Sequence, residues 1–413
     1  MDTSKLEQVI QDQRLLKFED GFLKRTPDFH SSNEILVISG IRRCGKSTLM
    51  QEIRTNNEES DYYLNFDDER LVSFSLDDFQ KLYELFIELY GEQRTFYFDE
   101  IQNIKGWERF VRRLYDYGNK IYITGSNASM LSRELGTHLT GRYIQYELFP
   151  FSFKEFLHFN NIDFNPGKIK STNGKSTTKS MFNKYFHVGG FPAFLKSGNT
   201  QYLESLYQSI IYRDVMVRNG IANEREILEL VHYLASNVSR LITYNSLTKV
   251  IGVKNPSTVK NYLSYLQNTY IIFLLSKHDY SLKKQLQNPK KVYFIDNALV
   301  RQLGFFNSED NGRLLENIVF IELMRRKKDV YYHKNKKECD FVIKDKNKIT
   351  EAIQVSWDIS ENKTLEREIS GLVEAMNDYS LNEGLILTNS EENRITEDDK
   401  IINVKPVWKW LLE

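Results

Sequence analysis

Short apolar runs alternate with longer amphipathic segments over the first third of the chain. The predicted strands start near Ile35, Tyr62, Thr95, Lys120 and Tyr143. Between them, residues 77–91 and 107–114 place apolar side chains three and four residues apart, which is the spacing of an amphipathic helix. Strands that alternate with helices form a parallel sheet, because each helix returns the chain to the same edge. The pattern predicts an α/β fold with a parallel sheet.

The first apolar run leads into a glycine-framed loop. Gly40 and the sequence Gly45-Lys46-Ser47 have the spacing of a P-loop, whose backbone N–H groups surround phosphates at a helix N-terminus. We expect Lys46 to reach the β- and γ-phosphates and Ser47 to bind Mg²⁺. The predicted ATP-binding residues of this loop are Gly40, Arg43, Gly45, Lys46, Ser47 and Thr48.

Two carboxylates follow the apolar run that begins at Thr95. Asp99 and Glu100 come one β-α-β step after the loop, so both strands are expected to end at the same edge of the sheet. Asp99 is predicted to hold Mg²⁺ together with Ser47, and Glu100 to orient or deprotonate an attacking water. Loop and carboxylates together indicate Mg-ATP hydrolysis.

The composition limits the class of protein. The chain has 413 residues, of which 56 are basic and 56 acidic, so it is not a generally basic nucleic-acid-binding protein, although local basic patches are compatible with neutrality. A chain of this length is expected to form about two to four modules. Two cysteines, Cys44 and Cys339, exclude a disulfide framework. The N-terminus is polar and no apolar stretch approaches the roughly 20 residues of a membrane span. We expect a cytoplasmic protein without a membrane partner.

Residues 238–280 show a different pattern. A short helix is predicted over 245–251, then a turn, then a helix capped by Ser257 that runs to Gln267, and a strand from Tyr270. Helix, turn, helix and strand in this order are typical of a winged helix. The outward side chains of the second helix are predicted to be Lys260, Asn261 and Ser264. This face is a candidate for reading a DNA groove, and docking of a protein partner is the alternative.

Five motifs occur along the first part of the chain. They are Gly-Ile-Arg-Arg-Cys-Gly-Lys-Ser (40–47), Phe-Asp-Glu-Ile-Gln (98–102), Thr-Gly-Ser (124–126), Leu-Thr-Gly-Arg (139–142) and Phe-Pro-Phe-Ser-Phe-Lys-Glu-Phe (149–156). With this set the chain resembles a family of prokaryotic AAA-type (AAA+) ATPases whose core precedes a C-terminal domain resembling the PD-(D/E)XK nuclease fold. The resemblance implies a P-loop NTPase core, ATP and Mg²⁺ as ligands, and a nuclease-like (restriction-endonuclease-like) α/β domain. It does not supply a substrate.

Two further positions have roles in ATPases of the AAA type. The strand that ends in Thr124-Gly125-Ser126 is where this class keeps a sensor group for the γ-phosphate, and Ser126 is the first candidate and Thr124 the second. Arg142 precedes the last strand of the core, where an arginine finger would project, with Arg133 in reserve. A finger that acts in trans requires a homo-oligomer, such as a hexamer or another ring.

The C-terminal third carries a degenerate version of a nuclease site. In restriction-type folds a glutamate on the first helix, an aspartate at a strand start and a Glu-x-Lys on the next strand hold Mg²⁺ and activate water. Glu316 and Asp340 match the first two positions, but Gln354 and Ser356 replace the acid and the lysine. Glu351 is expected on the opposite face of that strand. We predict that the fold is retained without efficient cleavage.

The predicted domains follow from these elements. They are an AAA-type ATPase core with a helical N-terminal prelude (1–150), a helical lid with a flexible insertion near 159–180 (151–237), a winged-helix-like module (238–280) and a degenerate nuclease-like domain (281–413). Basic residues gather in the segments 283–291 and 325–337, with Tyr331 and Tyr332 interleaved. This cluster predicts a surface that follows nucleic-acid phosphates.

The function predicted from the sequence is a Mg-ATP-dependent ATPase. Its ATP binding and hydrolysis are expected to drive the binding or remodelling of DNA, including branched DNA, through the C-terminal modules. The alternative is an ATP-switched protein-interaction module that does not use DNA. An active Mg-dependent nuclease is a third hypothesis, which the replacements at Gln354 and Ser356 disfavour.

Overall fold

The computed structural model describes residues 1–15, 23, 25, 33–127, 136, 139–162, 171–305 and 310–413. The chain divides into two units by its internal contacts. The first unit consists of Met1–Phe149 with Asn268–Tyr270, and the second of Pro150–Gln267 with Ile271–Glu413. Among the described residues, no helix is both long and apolar enough to cross a membrane.

A five-stranded sheet forms the centre of the first unit, in the order β2-β3-β4-β1-β5, with every neighbouring pair parallel. The strands are β1 (Ile35–Ser39), β2 (Tyr63–Asn65), β3 (Thr95–Asp99), β4 (Lys120–Gly125) and β5 (Tyr143–Glu147). The helices are α1 (Thr3–Leu15), α2 (Lys46–Thr55), α3 (Asp78–Tyr90) and α4 (Trp107–Asp116), with 3₁₀ turns at Glu69–Leu71 and Ile101–Asn103. The predicted α/β fold with a parallel sheet is confirmed.

Aromatic side chains fill the core of this unit. Phe79 stacks on Phe110 with the ring centroids 4.5 Å apart, and Trp107 is fully buried. Val9 and Ile10 of α1 join the same cluster. Burial of such rings supplies most of the stabilisation of a core, and the close stacking adds about 1 kcal/mol per pair.

The second unit begins with a group of helices. They are α5 (Phe153–Phe159), α6 (Thr172–Val188), α7 (Pro192–Ser197), α8 (Thr200–Ser209) and α9 (Glu224–Ser236), with a π-helix at Ile210–Val217. The predicted flexible insertion near 159–180 is wrong for 172–180, which form the start of α6, while 163–170 lie outside the described residues. Ser171 caps α6 by accepting a hydrogen bond from the Gly174 N–H at 3.1 Å, and Thr178 is buried.

The glycine pair between α6 and α7 marks a close approach of two chain segments. A Cβ atom on Gly190 would lie 2.2 Å from the carbonyl oxygen of Phe151. The Gly190 N–H donates to the buried carboxylate of Asp296 at 2.7 Å, and the Ala298 N–H donates to it at 2.8 Å. Gly190 therefore has a packing role within the second unit, because a side chain there would overlap the backbone of Phe151.

A three-stranded antiparallel sheet of order β6-β8-β7 follows. Its elements are β6 (Leu241–Ile242), α10 (Tyr244–Ile251), α11 (Pro256–Asn268), β7 (Ile272–Ser276), α12 (Leu282–Gln287) and β8 (Lys290–Phe294). This sheet continues past the predicted domain boundary at residue 280, because β8 pairs with both β6 and β7. The predicted cap at Ser257 is also displaced: α11 begins at Pro256, and the Asn255 side chain accepts from the Ser257 N–H at 2.9 Å.

A six-stranded mixed sheet completes the second unit, in the order β13-β14-β12-β11-β10-β9. Its elements are α13 (Asn297–Leu303), α14 (Asn311–Arg325), β9 (Asp329–Lys334), β10 (Glu338–Asp345), β11 (Lys348–Val355), α15 (Asn362–Asp378), β12 (Glu383–Thr388), β13 (Asn393–Glu397), β14 (Lys400–Pro406) and α16 (Val407–Trp410). Leu372 and Met376 of α15 pack on Ile386 and Ile402 of the sheet. The nuclease-like identity of this region stays a prediction.

Candidate functional site

The loop after β1 has the geometry of an anion-binding loop. Gly40 has φ +149°, and a Cβ atom there would lie 2.2 Å from the carbonyl oxygen of Leu148. Gly45, in the left-handed region, precedes the first turn of α2. The first N–H groups of α2 have no intrahelical partner and face the loop, which is the arrangement that attracts phosphates. Arg43 is exposed in the loop, and Thr48 is half-buried in the first turn of α2.

Lys46 is the buried cation of this loop. Its Nζ donates to the Ile41 carbonyl oxygen at 3.2 Å and lies 3.5 Å from Glu100 Oε1. Because β1 and β3 are parallel, the end of β3 reaches the same edge of the sheet as the loop. The structure thus brings Lys46 and Glu100 together, as the sequence predicts.

Asp99 is the last residue of β3 and is fully buried. Its carboxylate accepts hydrogen bonds from the hydroxyls of Thr124 and Ser47, and from the Tyr63 hydroxyl at 3.4 Å. Burial, helped by the charge of Glu100, raises the pKa of Asp99 to about 6 against these hydrogen bonds. A hydroxyl and a carboxylate side by side are oxygen ligands of the kind that Mg²⁺ prefers, so Ser47 and Asp99 fit that ion.

Glu100 is held by two neighbours on its second oxygen. Oε2 accepts from Gln102 Nε2 at 2.5 Å and from the Ser126 hydroxyl at 3.2 Å, and the Glu100 N–H donates to Thr124 Oγ1 at 2.9 Å. Burial acts to raise the pKa of Glu100, but Lys46 and these hydrogen bonds outweigh it, so the pKa is lowered. The carboxylate is therefore ionised and oriented.

Both sensor candidates lie in this network, with different contacts. Ser126 contacts the carboxylate of Glu100, whereas Thr124 joins Asp99 to the backbone of Glu100. Gln102 received no role from the sequence, although it stands in the motif Phe-Asp-Glu-Ile-Gln. The sequence also gave no role to Arg25, which donates to the carbonyl oxygen of Cys44 in the loop at 3.0 Å.

Arg142 lies away from these residues. Its carbonyl oxygen accepts from the Ile35 N–H at 2.8 Å, at the start of β1, whereas the loop follows the end of β1. Five strand residues span about 16 Å, so the arginine stands at the opposite edge of the sheet. Its Nε is 3.5 Å from Asp116 Oδ1. Arg133 lies outside the described residues.

A second cluster of charged groups lies in the second unit. Lys291 Nζ of β8 is 3.0 Å from Glu316 Oε1, 2.9 Å from Glu338 Oε1 and 2.8 Å from Asp340 Oδ1. Burial and the charge of Asp340 raise the pKa of Glu316 to about 8, against the charge of Lys291. The nearby carboxylates raise the pKa of Lys291 in spite of its burial. The sequence did not anticipate Lys291 or Glu338 here.

Gln354 and Ser356 do not contact Lys291. Gln354 Oε1 accepts from the Asp340 N–H at 3.2 Å, and its Nε2 donates to Glu368 Oε2 at 2.5 Å. The Ser356 hydroxyl donates to the Asp358 carbonyl oxygen at 3.0 Å. Gln354 and Glu368 line a cleft of about 720 Å³ that also includes Glu316 and Asp340, while Glu351 lines a different cleft.

The predicted phosphate-following surface is wrong for several members of the basic cluster. Lys290 and Lys291 are buried, and Tyr332 is buried with its hydroxyl on the Pro289 carbonyl oxygen at 2.7 Å. Arg326 pairs with Glu322 at 2.8 Å. Sequence proximity placed these residues in one group, but Lys290, Lys291 and Tyr332 face the interior and Arg326 is half-buried. Exposed members of the cluster are Lys283, Lys284, Lys327, Lys334, Lys336 and Lys337.

Sequence profiles of three domains match the chain in succession. The AAA domain matches residues 32–157, a domain of unknown function named DUF8612 matches 179–310, and another named DUF4143 matches 311–410. The AAA domain agrees with the P-loop NTPase fold of the first unit and confirms the AAA part of the resemblance. The nuclease-like part stays a prediction.

Two relatives align along nearly the whole chain. One is "Uncharacterized protein MJ1544" of Methanocaldococcus jannaschii, 37% identical over 92% of this chain and 88% of its own length. Another is an "Uncharacterized protein" of Haemophilus influenzae, 32% identical over 95% of this chain and 98% of its own length. The chain belongs to the family of these two proteins. Both alignments are long enough to include the loop and the second cluster.

Solved structures with distant similarity to this chain include two proteins from other organisms. The Thermotoga maritima RuvB Holliday junction branch migration motor is 14% identical, with 65% of this chain and 87% of that chain covered and a TM-score of 0.28. Thermococcus gammatolerans McrB, in a half-complex of AAA+ hexamers with bound McrC, is 13% identical, with 45% and 47% covered and a TM-score of 0.21. These TM-scores are too low to carry an argument about function or assembly.

Proposed function

We propose that the protein is a Mg-ATP-dependent ATPase. The observation that carries the proposal is the convergence of Lys46, Asp99, Glu100 and Ser126 at one edge of the parallel sheet, beside the N-terminus of α2. A cation, a buried carboxylate and an oriented carboxylate in this arrangement supply charge stabilisation and water activation for phosphoryl transfer.

Each residue has a separate task in this proposal. Lys46 and the backbone of the loop bind the phosphates of ATP, while Ser47 and Asp99 hold Mg²⁺, which neutralises phosphate charge when bound. Glu100 accepts a proton from, or orients, the attacking water. Gln102 and Ser126 keep the Glu100 carboxylate in place through the contacts at 2.5 Å and 3.2 Å.

ATP turnover of purified full-length Ser47→Ala tests this division of labour. Loss of the Ser47 hydroxyl should reduce the Mg²⁺-dependent rate by roughly 10²-fold, because a ligand of the ion is removed. Thr55→Ala, at the other end of α2, is the matched control and should keep the rate. A wild-type chain that neither binds nor hydrolyses ATP would refute the proposal.

The position of Arg142 supports action in trans. It lies at the edge of the sheet opposite to the loop of its own chain, so an arginine finger at this position could serve only the loop of a neighbouring subunit. We propose a homo-oligomer in which Arg142 completes the next site. Mixing Arg142→Ala with Lys46→Met should restore part of the turnover that each variant lacks alone, because mixed interfaces contain one intact loop and one intact arginine. No restoration would exclude a finger in trans.

The link to DNA is proposed from the three-stranded sheet and its helices. The order α9, β6, α10, α11, β7, β8 supports a winged-helix-like module, which extends to Phe294. On α11, Val259 and Leu263 are buried, while Lys260 and Asn261 are exposed. This polar face supports contact with a DNA groove. We therefore propose that ATP turnover is coupled to DNA binding or remodelling.

A protein partner instead of DNA is the second candidate. The burial of Lys290 and Lys291 and the pairing of Arg326 with Glu322 favour it, because they remove basic charge from the predicted phosphate surface. ATP turnover with duplex, single-stranded and four-way-junction DNA, at low and high salt, separates the two. Stimulation that fades with salt and is lost in Lys260→Glu supports DNA. A rate and a binding signal indifferent to every DNA support the protein partner.

For the C-terminal region we propose a nuclease-like domain that does not cleave. Glu316 on α14, Asp340 in β10 and Gln354 in β11 follow the positional order of a restriction-type site. Gln354 is committed to the Asp340 N–H and to Glu368. Incubation with Mg²⁺ or Mn²⁺ and several DNA forms should give no cleavage. Cleavage that Asp340→Ala abolishes would contradict this part of the proposal.

A further inference from the structure

The Lys291 ammonium lies at the convergence point of three carboxylates. Its Nζ is within 3.0 Å of one oxygen each of Glu316, Glu338 and Asp340, and the residue is only 2% exposed. An ammonium group has three N–H donors. Three carboxylate oxygens therefore satisfy it completely.

The second partners of the carboxylates fix the same arrangement. Glu316 Oε1 also accepts from the Tyr293 hydroxyl at 2.6 Å, and Asp340 Oδ2 accepts from the Val355 N–H at 2.9 Å. Glu338 Oε2 pairs with Lys334 at 3.0 Å. Each carboxylate that contacts Lys291 is thus also held by a second group, and these groups come from β8, β9 and β11.

Several carboxylates around one point are also the ligand set of a divalent cation. The nuclease-like resemblance implies such a cation at Glu316 and Asp340, but the side chains do not fit it, because the Lys291 Nζ occupies the place where their oxygens meet. Two positive centres at that point would repel strongly in a buried environment. Among the described residues, no group of three or more His, Cys, Asp or Glu side chains is arranged to hold a metal ion.

We propose that Lys291 is an internal counter-cation that takes the place of a divalent metal and closes this site to metal ions. Lys291 comes from β8 of the three-stranded sheet, whereas its partners come from α14 and β10. The ion pairs therefore also fasten the three-stranded sheet to the six-stranded sheet. The inference is independent of the ATPase proposal, because all four side chains belong to the second unit.

The test compares full-length wild type with Lys291→Met, without nucleotide. Methionine keeps the apolar stem of the side chain but removes the ammonium, so the buried Asp340 and the half-buried Glu338 lose their counter-charge and Glu316 loses a hydrogen-bond donor. The unfolding midpoint of Lys291→Met should fall by at least about 5 °C. Ca²⁺ is the probe, because its oxygen ligands at about 2.3–2.6 Å need only small shifts from the present positions. Millimolar Ca²⁺ should restore part of the lost midpoint and bind measurably by calorimetry in Lys291→Met, but not in wild type.

Two controls keep the result specific. Lys290→Met changes the neighbouring buried lysine, whose Nζ bonds to Ser276 and Gln285 instead of carboxylates, and should gain no Ca²⁺ response. Lys291→Met with Asp340→Asn should lose the gained Ca²⁺ binding. Equal Ca²⁺ responses of Lys291→Met and wild type would overturn the proposal. If Lys291→Met does not fold, Ca²⁺ binding is compared between wild type and Asp340→Asn. Equal binding by the two proteins supports the proposal, because the wild-type site then holds no Ca²⁺ that Asp340 could bind. Weaker binding by Asp340→Asn overturns the proposal.

Discussion

Two buried lysines in this protein face carboxylates, with opposite consequences. Lys46 and Lys291 are 4% and 2% exposed, so burial alone does not distinguish them. Lys46 contacts a backbone carbonyl at 3.2 Å and one carboxylate at 3.5 Å. Lys291 contacts three carboxylates within 3.0 Å.

The difference lies in how many donors each ammonium has left. Among the residues that the structure describes, Lys46 has only one carboxylate partner, at 3.5 Å, so its ammonium can turn toward a phosphate that enters the loop. If Lys46 turns away, the Glu100 carboxylate keeps its hydrogen bonds from Gln102 and Ser126. Three close carboxylates leave Lys291 no donor for a ligand. A buried lysine therefore indicates a binding site only when its counter-charges are incomplete.

Replacement of each lysine by methionine should separate phosphate binding by Lys46 from the structural role of Lys291. This is the largest effect that we predict. Lys46→Met should lose at least about 10³-fold of ATP turnover, because the cation at the phosphates is removed, but should unfold near the wild-type midpoint. Lys291→Met should keep the wild-type ATP turnover but unfold at a lower temperature than wild type. Parallel turnover assays and thermal unfolding of both variants check this.

Thermal unfolding of the two variants can contradict the proposed difference between Lys46 and Lys291. A Lys46→Met chain that unfolds as early as Lys291→Met would show that the loop lysine is also a structural counter-ion. Lys105→Met, an exposed position in the first unit, serves as the control for loss of a positive charge and should change neither quantity.

Glu100→Gln should lower turnover by roughly 10²-fold while ATP still binds. The amide keeps the shape of the side chain but cannot accept a proton or orient water as a carboxylate does. Binding of a fluorescent ATP analogue and the turnover rate, measured on the same preparation, test the split. Loss of binding equal to the loss of rate would assign Glu100 to ATP binding instead.

Gln102→Ala should have a smaller effect, of about tenfold on the turnover rate, because it removes the 2.5 Å hydrogen bond that positions Glu100 without removing the carboxylate. Asn103→Ala is the matched control, since its side chain donates to the Phe66 carbonyl oxygen and not to Glu100. A Gln102→Glu chain should be slower than Gln102→Ala, because a second carboxylate would repel Glu100. Equal turnover rates for Gln102→Ala, Gln102→Glu and Asn103→Ala would show that Gln102 does not position Glu100.

The pH dependence of stability offers the finest test of the Lys291 cluster. Glu316 has a pKa of about 8 in the folded chain, above its ordinary value, so between roughly pH 5 and pH 8 the folded state keeps a proton that the unfolded chain has released. The free energy of unfolding should therefore fall as pH rises through this window. Glu316→Gln should flatten that fall by at least about 1 kcal/mol, measured by urea unfolding at several pH values. An unchanged slope would contradict the raised pKa.

Local sequence determined much of the first unit. Strand-forming runs, helical spacing and the Gly40 to Ser47 pattern predicted the parallel sheet and the loop, because hydrophobic periodicity and glycine spacing act within a few residues. The order of the strands also placed Asp99 and Glu100 near Lys46, since parallel strands end at one edge. The same local signals failed at 172–180, where a capped helix replaced the predicted insertion.

Tertiary structure decided the contacts between residues that are distant in sequence. Lys291 meets Glu316, Glu338 and Asp340 only because β8, α14 and β10 pack together, and a lysine in a basic run carries no local sign of that burial. For the same reason, the cluster that the sequence assigned to phosphates is partly interior. Residues that are close in sequence determine which helices and strands form. The packing of those elements determines which charged side chains contact each other, and the contacts of Lys46 and Lys291 determine their different roles.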